Sequence, residues 1–485
     1  MSPSTRSTSA TPEPSRGRLA MLAAPLLLCH LALVAVGSPG DAPLRAVSIL
    51  LLAFAAHAFV LPRLGASRDL VALLAVAAVL RVVLLPLPPT LSDDVLRYRW
   101  DGRVVTAGHD PYRLAPEAVE LEPLRDELWL IMPHKEVPTV YPPVALGVFA
   151  AVSSLPGSLL GLKIVLAAAD WAACWLLMLV ARRLGHAPGR AVAYAWSPLP
   201  CLETAGMGHV DALVVLFSVA AVLLLARRAP AAGIAAAAAV ASKLVPLLWL
   251  PAWLRHAPRR LAFATTAALC TALFLAPMVV PSAGPPPGLV TFGVSWEFNG
   301  PLYEPLWRGL DAVDAAPTVK RGLDRLKEWS GQHEALNRVY PFVYPQLLAK
   351  LLLAAGFGLG MLWLLLRRRS EHTADDDGAL SAERDAAITA EAIADTGRTA
   401  TLLLLAMATV YPWYLLWVLP WAALAHHRAW LVVAATSVLS YLPQHLDGLE
   451  LFPWVWLVVW APLLLFAPVS RWRPRIGSLG GGAPA

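Results

Sequence analysis

The stretch "LVALLAVAAVLRVVLLPLPPTLSDDVLRYRWDGRVVTAGHDPY", residues 70–112, decides the fold class. Its first part is almost purely apolar, and we predict a membrane segment over residues 69–88, because about 20 apolar residues cross a bilayer as a helix. A dense group of aspartates, arginines and a histidine follows directly. The pattern predicts a transmembrane helix whose end carries chemically active side chains.

The composition extends this interpretation to the whole chain. Of the 485 residues, 58% are hydrophobic and 15% are charged, and the mean hydropathy is +0.59. Soluble domains carry roughly 25% charged residues. Backbone groups in lipid must be hydrogen-bonded within their own segment, so membrane segments rich in Leu and Ala are helices. We therefore predict an all-α polytopic transmembrane helical bundle, with about 11–14 membrane segments.

The apolar runs define the organisation of the chain. They lie near residues 19–37, 44–61, 69–88, 159–181, 190–208, 210–227, 260–281, 345–366, 428–445 and 451–469. The shorter apolar piece 141–156 is predicted not to cross the membrane. Residues 1–18 and 470–485 are predicted to be tails, the first of them disordered, on either side of a membrane domain 19–469. Loops are predicted at 89–140, at 282–343 and at 367–398, the last a flexible charged linker.

Short basic links set the predicted orientation. Arginine pairs such as Arg182–Arg183, Arg227–Arg228 and Arg259–Arg260 separate the apolar runs. Short loops rich in Lys and Arg stay on the cytoplasmic side, which places both termini and loop 367–398 inside and loops 89–140 and 282–343 outside. The same clustering explains the net charge of +6 without nucleic-acid binding.

Two pairs of half-length apolar pieces are predicted to form broken hairpins. The pairs are 231–241 with 243–254, and 399–411 with 413–425. Their tips would place irregular backbone at membrane depth, which is tolerated only inside protein or beside a wet cavity. We expect both tips to face the side that carries the polar group of residues 91–112. An arrangement with two full spans remains the alternative.

Asp93 and Asp94 are the leading catalytic candidates. Two adjacent carboxylates suit proton abstraction from a hydroxyl or the binding of a divalent cation. Arg97 lies on the same helix face as either carboxylate and would keep one of them ionised. The alternative is a solvated helix held by salt bridges. Further candidates from this stretch are Tyr98, Trp100, Asp101 and Tyr112, of which Tyr98 and Trp100 also suit a membrane-interface belt.

Lys243, His209 and Asp211 form a second group of candidates. Lys243 is the only lysine between residues 164 and 319, and a lone ammonium in an apolar hairpin needs an anion or must reach the membrane surface. A phosphate is one suitable partner. His209 and Asp211 begin an apolar run, where they either bind phosphate or cap a helix.

Aromatic and polar side chains form a third group. Tyr141, Tyr411, Trp413 and Tyr414 lie beside prolines, and they suit either a membrane-interface anchor or a wall for a sugar or prenyl chain. In "WEFNGPLYEPLW", residues 296–307, Glu297 and Asn299 suit hydrogen bonds to sugar hydroxyls, and Trp296 and Phe298 suit stacking on a sugar ring.

Several common sites are absent from the sequence. There is no GxxxxGK[ST] loop, dinucleotide fingerprint, HExxH motif or cysteine-rich metal motif, and the four cysteines lie in or beside apolar runs without a pairing pattern. The sequence therefore indicates no cytosolic nucleotide-binding module.

Six motifs occur in an order that resembles the bacterial GT-C glycosyltransferases, above all the polyprenol-phosphate-mannose-dependent mannosyltransferases. They are "SDDVLRYRWDGRVVTAGHDPYRLAP" at 92–116, "YPP" at 141–143, "GHVDAL" at 208–213, "SKLVPLLWLP" at 242–251, "FNGPLY" at 298–303 and "YPWYLLWVLP" at 411–420.

The resemblance implies an enzyme of the bacterial plasma membrane. Its donor would be a polyprenyl-phosphate sugar and its acceptor a lipid-linked or glycan hydroxyl at the outer face. Asp93 or Asp94 would act as general base in an inverting transfer, and Lys243, His209 and Arg97 would balance the leaving phosphate. No cofactor and no obligatory metal are expected.

Two other functions use similar features. A transporter or lipid flippase also has broken helices beside a polar cavity. A lipid-linked glycan polymerase or ligase shares the donor type. Against transport, no internal repeat is evident and the charged residues lie towards one membrane face.

Overall fold

The computed structural model describes residues 14–280, 286–367 and 378–466, together with 471, 472, 474, 476 and 477. Within these residues every regular element is a helix, and the β-type pairing is limited to isolated bridges from Phe298 and Asn299 to Thr409. The predicted all-α polytopic bundle is confirmed.

Five helices in the described part of the chain are long and apolar enough to cross a membrane. They are Arg16–Ala35, Pro43–Leu64, Ser158–Arg183, Arg260–Val279 and Pro345–Leu366. Shorter apolar helices complete the bundle: Leu70–Val82, Pro143–Ser153, Asp211–Leu225, Ala229–Ser242 and the combined segment Leu451–Phe466.

The remaining α-helices connect or cover these segments. They are Asp94–Thr106, Glu127–Ile131, Val192–Ala195, Pro198–Cys201, Leu250–His256, Pro287–Ser295, Tyr303–Ala312, Ala315–Ser330, His333–Val339, Gly378–Ala406, Leu419–Ala425, Arg428–Thr436 and Leu442–His445. Short 3-10 helices lie at Val119–Leu124, Pro188–Ala191, Val245–Trp249, Tyr340–Phe342, Pro412–Trp417 and Ser437–Tyr441. Single π-helical turns lie at Leu202–Gly206 and Leu451–Val455.

The predicted flexible loop 367–398 is wrong from residue 378 onward, because helix Gly378–Ala406 begins there. Two of its acidic side chains, Asp385 and Asp395, are buried and paired rather than solvated. Asp385 accepts a hydrogen bond from Arg227, and Asp395 lies 2.8 Å from the His256 ring. These partners are distant in sequence. The charged composition of the segment, taken alone, therefore resembles that of a flexible linker.

The predicted tails lie mostly outside the described residues, which begin at residue 14. Helix Arg16–Ala35 starts within the first predicted tail. In the second, Trp472 is buried and stacks on the His427 ring with centroids 4.4 Å apart. The described part of this tail therefore packs against the bundle.

The predicted span 190–208 is a chain of short helical pieces rather than one helix. Helix Val192–Ala195 is followed by Pro198–Cys201 and a π-helical turn. Pro198 and Pro200 remove backbone donors and break a continuous helix. The irregular segment brings Glu203 and His209 into the protein interior, where both side chains are fully buried.

Both predicted hairpin breaks are present. Helix Ala229–Ser242 ends at Lys243, and helix Gly378–Ala406 ends before an irregular stretch around Tyr411. Phe298 pairs with the second break, donating its N–H to the Ala408 carbonyl at 3.0 Å and accepting from the Val410 N–H at 2.7 Å.

Polar contacts inside the bundle fix the segment that leads to Asp93. Lys163 is buried and donates to the Leu85 and Leu87 carbonyl oxygens at 2.8 and 2.5 Å. Deeper in the bundle, Arg81 and Asp170 form a buried ion pair. A residue pair of this kind is costly to break once the fold has formed.

Candidate active site

A cavity of about 800 Å³ opens between the helix Asp94–Thr106, the two hairpin breaks and the segment before Pro143. Its lining is mostly apolar, with a few convergent polar groups, which is the usual character of a ligand site. The charged, polar and aromatic residues that line it are Thr90, Ser92, Asp93, Asp94, Arg97, His134, Tyr141, Lys243, Phe292, Trp296, Tyr411, Trp413, Tyr414, Trp417, Gln444 and His445.

The cavity and the basic links lie at opposite ends of the same helices. Helix Ser158–Arg183 contributes Leu159 to the cavity at its first turn and carries Arg182 at its last. Helix Ala229–Ser242 starts after Arg228 and ends at Lys243, which lines the cavity. The two hairpin breaks and the Asp93–Asp94 pair therefore meet at one end of the bundle.

Asp93 immediately precedes the helix Asp94–Thr106 and exposes its side chain to the cavity. No other side chain in the described part of the protein forms a hydrogen bond with this carboxylate. The protein around the cavity partly desolvates Asp93 and so raises its pKa, and the negative charge of Asp94 raises it further. A carboxylate of raised pKa without a fixed partner is suited to accepting a proton.

Asp94 is instead held by neighbours. The Tyr98 hydroxyl donates to it at 3.4 Å, and His209 Nδ1 lies 3.6 Å from Asp94 Oδ2. Burial alone would raise the pKa of Asp94, but His209, Lys243 and Tyr98 together lower it. The two adjacent aspartates therefore have opposite pKa shifts.

The predicted pairing of Arg97 with Asp93 or Asp94 is wrong. Its Nε donates to Asp101 at 2.8 Å, and its terminal nitrogens donate to the His134 and Val137 carbonyl oxygens at 3.0 and 2.7 Å. Asp101 lies one helical turn further on and is buried, so it has more need of a cation than the exposed Asp93. Arg97 lines the cavity, but its hydrogen bonds connect parts of the cavity wall, from Asp101 to the carbonyl groups of His134 and Val137.

Three other candidates from the first stretch lie behind the wall rather than in the cavity. Asp101 is buried and accepts a hydrogen bond from Thr139 at 2.5 Å. Trp100 is buried in a separate apolar cluster. Tyr112 donates its hydroxyl to the Tyr141 carbonyl at 3.0 Å. These residues support the wall, which corrects their predicted contact with substrate.

Lys243 and Asp211 form a pair at the first hairpin break. The ammonium donates to both Asp211 oxygens at 2.9 and 3.1 Å and lies over the Tyr414 and Trp417 rings, 4.6 and 4.9 Å from their centroids. Asp211 is fully buried and does not line the cavity. The lone lysine thus has a carboxylate partner, and part of its side chain still faces the cavity.

Aromatic rings of the second hairpin break form one side of the cavity. Tyr411 and Trp413 stack in parallel with centroids 4.5 Å apart, and the other face of the stack meets the His209 ring 4.0 Å from Trp413. Tyr141 and Tyr414 also line the cavity. The predicted aromatic wall is formed by rings directed inward.

Glu297 and Asn299 do not line the cavity, which contradicts their predicted contact with substrate. Glu297 forms an ion pair with Lys350 at 2.8 Å. Asn299 is buried at a positive φ of 54° and accepts a hydrogen bond from the Trp460 indole at 3.0 Å. Of this stretch, Trp296 faces the cavity.

The sequence did not single out Glu203, Tyr441, Trp417 or His134. Glu203 is a lone carboxylate in the apolar stretch "SPLPCLETAGMG", and that isolation was the available signal. Its Oε2 lies 3.4 Å from His209 Nε2, and Tyr441 donates to its Oε1 at 2.7 Å. His134 and Trp417 line the cavity through tertiary contacts alone.

Metal binding stays a matter of prediction. Among the residues that the structure describes, no group of three or more His, Cys, Asp or Glu side chains is placed to hold a metal ion. The four cysteines, all within these residues, are free thiols.

Comparison with known proteins assigns the chain to a family. The model of glycosyltransferase family 87 matches residues 139–384, just over half of the chain. The chain belongs to glycosyltransferase family 87. A second model, described as alpha-(1->6)-mannopyranosyltransferase, N-terminal domain, matches residues 19–258 and favours mannosyl transfer. No curated protein and no solved structure matches the chain.

The predicted GT-C mannosyltransferase resemblance is thereby confirmed, and the family assignment favours an enzyme over a transporter. In this family 87 glycosyltransferase, the cavity combines a carboxylate that can accept a proton, a cation that can meet an anionic leaving group and aromatic rings that can border a sugar. These are the functional groups that glycosyl transfer from an activated phosphate requires.

Proposed function

We propose that this glycosyltransferase moves a mannosyl residue from a polyprenyl-phosphate donor to a hydroxyl of a lipid-linked or glycan acceptor. The reaction would take place at the outer face of the bacterial plasma membrane, by inversion, with Asp93 as general base. The observation that carries the proposal is the mostly apolar cavity, with Asp93 and Lys243 in its lining, at the end of the bundle opposite the basic links.

The position of the basic links supports the outer face. Short loops rich in arginine stay in the cytoplasm, so the opposite end of the helices would face the exterior. Nucleotide sugars are cytosolic, and the sequence has no nucleotide-binding motif. A membrane-anchored donor would meet an apolar cavity lining.

The proposed step places the proton on Asp93. Its carboxylate takes the proton of the acceptor hydroxyl as the acceptor oxygen attacks the anomeric carbon from the face opposite the phosphate. The bond from the anomeric carbon to the phosphate oxygen breaks, and polyprenyl phosphate leaves with the electron pair. A β-linked donor would therefore give an α-linked product.

Lys243 is the proposed partner of the leaving phosphate. Its ammonium is shared between both oxygens of Asp211, with the side chain 19% exposed at the cavity. A cation fixed in advance stabilises negative charge as it develops on the leaving group. Tyr411 and Trp413 would border the sugar with their ring edges, because both faces of each ring are covered by stacked neighbours.

The test is a comparison of donors with the purified full-length protein in lipid nanodiscs. Radiolabelled polyprenyl-phosphate mannose and GDP-mannose are each offered with a panel of mannosyl and other glycosyl acceptors. We expect transfer from the polyprenyl donor alone, with inversion seen in the anomeric NMR signals of the product. Transfer from GDP-mannose alone, or from neither donor, would overturn the proposal.

A further inference from the structure

A line of buried polar side chains leads away from Asp94 into the protein. His209 Nδ1 lies 3.6 Å from Asp94, and His209 Nε2 lies 3.4 Å from Glu203. Tyr441 closes the line with a hydrogen bond of 2.7 Å to Glu203. The side chains of His209 and Glu203 are fully buried, so bulk solvent does not reach either of them.

The ring of His209 depends on these two carboxylates. In the described structure, neither ring nitrogen of His209 has a hydrogen-bond partner at normal distance. Glu203 Oε2 also lacks one. Buried polar atoms without partners are rare, and each calls for an explanation. The contacts of catalytic groups are often long in the absence of substrate and shorten in the substrate complex. In this structure, the long contacts are those between His209 and the two carboxylates beside it.

The two ring nitrogens face different acids, which gives the line a direction. Nδ1 faces Asp94 and Nε2 faces Glu203, so a contact with Glu203 on the far side fixes the ring orientation in which Nδ1 points to Asp94. The ring is also fixed in plane by stacking on Trp413, with centroids 4.0 Å apart and an interplanar angle of 15°.

We infer that Glu203 is a positioning residue of the transfer reaction, which acts on Asp94 through the His209 ring. The inference rests on the proposed function, because it takes Asp93 as the base and Asp94 as its charged neighbour. Glu203 does not line the cavity and touches no reacting atom. Its effect is to hold Asp94 ionised and turned towards His209, which leaves Asp93 free to meet the acceptor.

Other charged groups face the same region and stay in place when Glu203 is changed. They are Asp93, His134, Asp211 and Lys243. The tyrosines that interact with Asp94 are Tyr98, Tyr141, Tyr411, Tyr414 and Tyr441. Among all these groups, Tyr441 and His209 are the direct side-chain contacts of Glu203.

A double-mutant cycle tests the inference. The four proteins are wild type, Glu203→Gln, Asp94→Asn and the double variant, each assayed with polyprenyl-phosphate mannose in nanodiscs. We expect Glu203→Gln to lower kcat about tenfold with the donor KM within about twofold, the pattern of a group that acts in the transition state. In the Asp94→Asn background the same change should cost nothing further, because residues that act through one another are not additive.

The matched control is His256→Gln. His256 is also a buried histidine beside a carboxylate, Asp395, but it lies at the basic end of the bundle and does not line the cavity. This variant should keep the wild-type kcat. If Glu203→Gln does not fold, Tyr441→Phe replaces it in the cycle, since that change removes one donated hydrogen bond and keeps the carboxylate.

The outcomes separate the inference from the proposed function. An equal loss in both Asp94 backgrounds, or no loss from Glu203→Gln, overturns the inference while transfer by wild type upholds the function. No transfer by wild type from any polyprenyl-phosphate sugar overturns the proposed function and the inference with it.

Discussion

The two ends of the bundle each hold a buried histidine beside a carboxylate, and they differ in charge balance. At the basic end, Asp395 is contacted by His256 at 2.8 Å, Arg398 at 2.6 Å and Arg367. The cavity end holds four carboxylates, Asp93, Asp94, Glu203 and Asp211. Among the described residues, the basic side chains within 4 Å of them are His209, beside Asp94 and Glu203, and Lys243, beside Asp211.

This difference separates the carboxylates that stabilise the fold from those that are available for catalysis. A buried carboxylate surrounded by cations stabilises the helices that carry them, and removing it leaves uncompensated charge. Carboxylates in excess raise one another's pKa, which suits a proton acceptor. The same residue types therefore serve stability at one end and, by our proposal, catalysis at the other.

The largest expected effect is that of Asp93→Asn. Without a carboxylate to take the acceptor proton, kcat should fall by about 10²–10⁴-fold, while the thermal unfolding temperature stays near that of wild type. Rates of mannosyl transfer and unfolding by differential scanning fluorimetry measure both.

The matched change at the basic end is Asp395→Asn. Here we expect the reverse, a retained kcat with a loss of stability of about 3–5 kcal/mol, because Arg367, Arg398 and His256 lose their shared partner. A lower kcat in Asp395→Asn with normal stability would break the comparison between the two ends.

A second prediction concerns pH. The raised pKa of Asp93 means that the base becomes protonated, and transfer declines, at a higher pH than the ordinary value of about 3.9 implies. Asp94→Asn removes one cause of the shift. The acid limb of the pH–rate profile should then move to lower pH, with kcat reduced about tenfold or more by the loss of the neighbouring charge.

Rates measured across pH 4–8 with both proteins decide the direction. A limb that stays in place in Asp94→Asn would show that the charge of Asp94 does not act on the base. The range is set by the usual carboxylate and histidine pKa values, about 4 and 6.5.

The third prediction concerns the cation. Lys243→Met should lower kcat/KM about 10- to 100-fold, because a preorganised charge at the leaving group is lost. Lys350→Met is the control, since Lys350 pairs with Glu297 outside the cavity. Product formation as a function of donor concentration gives both constants. Equal losses in the two variants would argue against a role for Lys243 at the phosphate.

The sequence predicted the features that depend on local composition. Apolar length marks Ser158–Arg183 and Pro345–Leu366 as spans, and half-length runs mark the breaks at Lys243 and Tyr411. A hydrophobic helix has few alternatives in lipid, so its location follows from its own residues.

The features that failed depend on partners distant in sequence. Arg97 has equally spaced acids on both sides, and burial of Asp101 decides between them. Helix Gly378–Ala406 was taken for a linker because Arg227 and His256, which pair with its acids, precede it by more than 100 residues. Sequence spacing carries no information about either choice.

The smallest expected effects come from two adjacent residues, Trp296 and Glu297. Trp296 lines the cavity, whereas Glu297 is bound to Lys350 outside it. Trp296→Ala should raise the KM of acceptor or donor about three- to tenfold by the loss of an aromatic surface. Glu297→Gln should change either KM by less than about twofold, since exposed ion pairs contribute little.

The two variants together test whether only a residue that lines the cavity affects KM when it is replaced, even where the two residues are adjacent. A larger KM effect from Glu297→Gln than from Trp296→Ala would indicate that Glu297 contacts the sugar, as its sequence context predicts. If Trp296→Ala has the larger effect, as expected, the direction in which each side chain points determines its contribution to substrate binding. Pairing of Phe298 with the Tyr411 break, through the Ala408 carbonyl and the Val410 N–H, fixes that direction in the chain.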